Sequence, residues 1–82
     1  MILWAWEAQA RGRGGAGISS DEKGARRAAA AWMRDREAST AVLEQVRLAT
    51  GAALVPVYER TGLRLTGRRH GDRRVTWRLS AG

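Results

Sequence analysis

Between Ser19 and Arg34 apolar residues recur at helical spacing, while before and after that segment they recur every second residue. A chain that passes from period two to period 3.6 and back is built to form a sheet with a helix laid on it. In the helical segment Ala25, Ala28, Ala29, Trp32 and Met33 fall on one stripe, with Lys23, Arg27 and Arg34 on the other side. Ser19 and Glu22 have capping-box spacing at its start, and Gly24 weakens the first turn.

Upstream, Ile2 to Ala10 alternates, with Ile2, Trp4, Trp6, Ala8 and Ala10 on one side, and this predicts a strand. The following RGRGGAG (Arg11 to Gly17) is rich enough in glycine to predict a turn or loop, with Ile18 in a short returning strand. Ser39 to Gly51 fits two patterns. As a helix, Val42, Leu43, Val46, Ala49 and Thr50 share a face; as a strand, Val42, Val46 and Leu48 do, together with Glu44. Stop signals at both ends favour the helix. Beyond Gly51, Leu54 to Arg60 is strand-like with Pro56 at an edge or bulge, and Thr61-Gly62 predicts a turn. Strands follow over Leu63 to Arg69 and Arg73 to Leu79. The expected architecture is α+β: an N-terminal strand or hairpin, one or two helices, and a C-terminal three-stranded antiparallel meander with the helices on one sheet face. Trp32, Met33, Leu43 and Val46 would cover Leu63, Leu65, Val75, Trp77 and Leu79, and all four tryptophans would serve the core.

Eighty-two residues make one domain, 1–82, close to the lower limit for an unaided core. The chain has no cysteine and one histidine, so disulfides, Cys-based zinc sites and His-rich metal sites are excluded as staples. The apolar N-terminus lacks a basic region and is interrupted by Glu7, unlike a signal peptide, and no segment approaches membrane-spanning length. A bacterial cytoplasmic location is expected. The net charge is +7 and the pI about 11.6, which points to an anionic partner. Arginine outnumbers lysine fourteen to one. GC-rich coding explains that preference, but not the shortage of acids.

Pairing arithmetic over Leu63 to Leu79 sharpens the charge argument. A two-residue Gly71-Asp72 turn sets Leu65 opposite Arg78, mixing apolar and charged groups. A three-residue loop, His70-Gly71-Asp72, pairs Leu65 with Trp77, Leu63 with Leu79 and Gly67 with Val75, giving one apolar face. The other face then sets Arg64, Thr66 and Arg68 opposite Arg78, Thr76 and Arg74. Arginines so opposed repel each other, and phosphate would relieve the repulsion through bidentate hydrogen bonds. Neutralisation of Arg64 by Glu59, with screening of the rest, is the competing explanation.

Other motifs carry less. Gly12, Gly14 and Gly17 match G-x-G-x-x-G, but there is no room for a doubly wound sheet. The embedded RGRGG has the composition of RNA-binding RGG segments in a single copy. His70 has Asp72 two positions away and nothing that marks a triad. Gly24 to Leu48 has helix-turn-helix spacing, although Glu44 would repel phosphate from a recognition helix. No catalytic residue, cofactor or metal ligand is indicated.

YERTG (Tyr58 to Gly62), GRRHGDRRVTW (Gly67 to Trp77) and the AST stretch after the helix resemble small uncharacterised proteins of GC-rich actinobacteria. The resemblance implies a bacterial origin and transfers no functional residue. The residues themselves lead to a small basic non-enzymatic protein that binds nucleic acid or acts as a regulatory accessory. Arg64, Arg68, Arg74 and Arg78 would form its binding face, with Arg69, His70 and Arg73 at the hairpin tip. The alternative is a protein-interaction module, homodimeric or docked on an acidic protein. Lys23, Arg27 and Arg34 supply a second basic stripe.

Overall fold

The computed structural model describes residues 2–50, 56–71 and 74–81. Strands β1 (Ile2–Ala10) and β2 (Arg13–Ser19) form a hairpin, helix α1 (Glu22–Asp35) follows, and β3 (Thr40–Thr50), β4 (Pro56–His70) and β5 (Arg74–Ala81) complete the sheet. The strand order is β2-β1-β3-β4-β5, antiparallel throughout. The α+β expectation therefore holds, with one helix among the described residues and details that differ.

The largest correction concerns 39–51. Thr40–Thr50 is the central strand, not a second helix, and the helix-turn-helix arrangement falls with it. Its apolar residues fit either period, and the choice is made by neighbours: β1 and β4 hydrogen-bond to both of its edges. Ala41 and Leu43 are buried on the helix side. Val46, expected beneath the helix, has the opposite parity and is buried beside its partner Leu3. Gly51, Leu54, Asp72 and Arg73 lie outside the described residues.

A second correction concerns Thr61-Gly62. It is a bulge within one continuous strand rather than a turn between two. Pairing passes from Glu44–Arg64 to Val46–Arg60, so β4 accommodates extra residues there. Gly62 adopts φ +96°, and the Thr61 hydroxyl donates to Gln45 Oε1 at 2.8 Å. The meander is therefore β3-β4-β5, and the two strands expected before and after residue 61 are both β4.

The glycine-rich segment is the third. Only Arg11 and Gly12 make the turn, while Arg13–Ser19 is a strand. Two of its glycines, Gly15 and Gly17, are space for tryptophan. A Cβ on Gly15 would strike the Trp32 indole, and one on Gly17 would strike Trp6. The entropic cost of glycine in a strand is offset by ring packing that no larger residue would permit.

Helix α1 starts at Asp21, whose carboxylate accepts from the Gly24 amide at 2.6 Å, so the cap is not the Ser19–Glu22 pair. Glu22 instead holds Arg26 at 2.9 Å. The helix ends in a Schellman-type closure: the Ala38 amide donates to Met33 O at 2.9 Å while Glu37 takes φ 54°. Ala25, Ala29 and Met33 are buried against Trp4, Ala8, Ala41, Leu43 and Leu65, whereas Ala28 is exposed. Small alanines let the helix lie close to the sheet. Trp4 is in the core, and Trp6, Trp32 and Trp77 are partly buried at its margin.

The helix lies over β1, β2 and β3. It does not cover the C-terminal hairpin as expected. Leu63, Val75 and Trp77 pack at the core's edge, and Leu79 is 68% exposed.

Candidate anion-binding face

The face of β4 and β5 turned away from α1 carries the even-numbered residues, as alternation requires. Its register is not the one expected. His70 pairs with Arg74, Arg68 with Thr76, Thr66 with Arg78, and Arg64 with Ser80. The frame has slipped by two residues from the expected pairing, which keeps every side chain on its face and changes every partner. No arginine on this face stands directly opposite another. Trp77 gives the reason: it pairs with Gly67, and its six-membered ring lies where a Gly67 Cβ would be. Opposite Leu65, the frame expected from sequence, no such space exists for the indole.

The slip converts repulsion into an ordered row. Projected on the strand axis, the sequence is Arg64, Arg78, Arg68, Arg74, alternating between β4 and β5. Each step advances two residues, about 6.8 Å. Ser80, Thr66 and Thr76 face the first three arginines and His70 faces Arg74, with Thr66 Oγ1 and Ser80 Oγ 3.1 Å apart. Thr66, Arg68, His70, Thr76 and Arg78 line a hollow of about 290 Å³. His70 Nε2 and Thr76 Oγ1 are 2.8 Å apart, which fixes the ring at one end of the hollow. The hollow thus offers guanidinium forks and hydroxyl donors, the groups that hold phosphate oxygens. Thr66 and Thr76 were not singled out from sequence as site residues, although their shared parity with the arginines was readable.

Acids reach one end of the row: Glu44 on β3 is the register partner of Arg64 and lines a hollow with it, Glu7 and Arg60, whereas the described lining of the hollow at Arg68, His70 and Arg78 holds none. Among the described residues, Glu44 pairs with Arg60 at 3.3 Å and Glu59 approaches Arg47 at 4.0 Å, so Glu59 does not neutralise Arg64. None of the ion pairs among the described residues engages Arg64, Arg68, Arg74 or Arg78.

Arg69 leaves the site. Its odd position puts it on the helix side, where Nε donates to Ala38 O at 3.0 Å and a terminal nitrogen to Gly71 O at 3.1 Å. It fastens the hairpin tip to the helix exit. Lys23, Arg27 and Arg34 are exposed on α1, on the far side of the sheet from the arginine row. A third basic hollow, lined by Arg11, Arg13 and Arg36, holds its own acid, Glu37. Arg36 there is also occupied, by Asp35 at 3.2 Å and by the Trp32 ring at 5.2 Å. The hollow over Ala5, Ala16, Ile18 and Val42 bears Glu7 and Glu44, the wrong sign for an anion.

Among the described residues no group of three or more His, Asp or Glu side chains is placed to hold a metal ion. No helix among them is long and apolar enough to cross a membrane. No protein-family model matches the chain, and neither a curated protein nor a solved structure matches it.

Proposed function

We propose that this chain is a small basic non-enzymatic accessory protein of the bacterial cytoplasm that binds the backbone of nucleic acid through Arg64, Arg68, Arg74 and Arg78. The observation that carries the reading is the evenly stepped row of arginines, whose guanidinium groups enter none of the ion pairs among the described residues. The row advances about 6.8 Å per arginine along the strand axis while alternating between β4 and β5, which gives an extended phosphate backbone a guanidinium on either side as it passes. Thr66, Thr76 and His70 add hydrogen bonds at the hairpin end of the row. Trp77 points to the opposite face, which leaves backbone contact rather than base stacking as the mode expected of the row.

The experiment is a fluorescence or gel-shift titration with single-stranded and duplex oligonucleotides across salt. Four phosphate contacts on a single strand give a fall in log K of about 3 per decade of salt. Replacing Arg68 and Arg78 with glutamine is expected to halve that slope. Absence of binding at low salt, or an unchanged slope in the variant, removes the reading.

The same period is that of same-face side chains along an extended peptide, which favours an acidic protein segment as a second reading. Polyglutamate that binds while oligonucleotides do not would select it.

A further inference from the structure

We propose that two copies of this chain join edge to edge through β5, antiparallel about a two-fold axis at Trp77. The product is one continuous sheet with five strands from each copy. The interface is the outer edge of the strand that also carries Arg74 and Arg78 of the row, but the pairing itself needs no nucleic acid.

Among the described residues, strand β5 has a neighbouring strand on one side only. It has no proline or bulge over Arg74–Ala81, two of the devices that block an open edge, and its charged residues, Arg74 and Arg78, both lie on the face away from α1. The other edge, β2, is a glycine-rich strand with little to contribute. On the helix side β5 presents Val75 and Trp77 half-exposed and Leu79 68% exposed, beside a helix that stops over β3. A second copy would place its own Val75, Trp77 and Leu79 against these, so both apolar strips are covered from one contact.

Register selects the axis. Like faces must stay together, so a residue pairs with one of the same parity. Centring on Trp77 sets Trp77 opposite Trp77, Val75 opposite Leu79, Arg74 opposite Ser80 and Thr76 opposite Arg78. Centring on Thr76 sets Arg74 opposite Arg78, and centring on Arg78 sets it opposite itself; both place like charges face to face. Centring on Val75 or Leu79 leaves much of the apolar strip unpaired. The Trp77 register repeats across the dyad the pattern already present between β4 and β5, an arginine facing a hydroxyl. An interface of this kind is isologous and closes at two copies.

Sedimentation velocity across protein concentration, without nucleic acid, tests this. The wild-type chain is expected to form a dimer that tightens as salt rises, because each copy carries +7. Nucleic-acid binding would respond to salt in the opposite sense. Leu79→Lys is expected to sediment as a monomer with unchanged circular dichroism. The chain has no cysteine, so Thr76→Cys and Arg78→Cys introduce unique thiols. Oxidising equal amounts of the two variants together should yield the mixed disulfide in far greater excess over each like pair than random pairing gives. A monomer at every concentration, a dimer indifferent to Leu79→Lys, or mixed and like disulfides in the ratio of random pairing overturns the proposal.

Discussion

Trp77 lies across Gly67, its register partner on β4, so closely that a Cβ at Gly67 would fall about 2.5 Å from the indole ring. Gly67→Ala must therefore displace the ring, and overpacking of this kind costs about 1–3 kcal/mol. In a Trp77→Leu background the collision is gone and the same substitution should become neutral or stabilising, since alanine loses less backbone entropy. Urea midpoints of the four proteins in this cycle measure the coupling. Equal costs in both backgrounds would mean that the register is held by something else.

Glu37 occupies the left-handed region at φ 54°, where an L side chain is strained and glycine is not. Glu37→Gly keeps the Ala38–Met33 closure of the helix and removes the strain. The variant should gain about 1 kcal/mol, read as a rise in Tm of roughly 4–8 °C for a domain of this size.

The cap of α1 separates two residues that sequence spacing alone would treat alike. Asp21→Ala removes the acceptor for the Gly24 amide and should cost about 1 kcal/mol. Ser19→Ala removes no bond to that amide and should cost much less. Thermal or urea denaturation of the two variants distinguishes them.

Arg69 and Arg68 are adjacent and point to opposite faces. Arg69→Met severs the bonds to Ala38 O and Gly71 O and should destabilise by about 1–2 kcal/mol, leaving the salt dependence of nucleic-acid binding unchanged. Arg68→Gln should do the reverse, with stability altered by less than about 0.5 kcal/mol and a flatter salt slope. Paired measurement of stability and binding in each variant tests the division.

What was legible in the chain follows from local periodicity. The helix over Glu22–Asp35 showed in the spacing of Ala25, Ala29 and Met33, and the first strand in the alternation from Ile2 to Ala10. Thr40–Thr50 was not legible, because its apolar residues satisfy both periods and only the strands on either side decide between them. The strand at Arg13–Ser19 was hidden for a different reason: glycine signals a loop unless distant rings, here Trp6 and Trp32, occupy the space it leaves.

The arginine face divides along the same line. That Arg64, Arg68, Arg74 and Arg78 share one face was fixed by sequence alone, because side chains alternate with period two and a shift of two residues leaves parity intact. Which residue each arginine faces was decided only in the tertiary structure. There the fit of Trp77 over Gly67 sets the frame, and the frame exchanges opposed arginines for a row in which each faces a hydroxyl or His70. Periodicity belongs to one strand and can be read from it; register belongs to two strands and depends on what their side chains can fill.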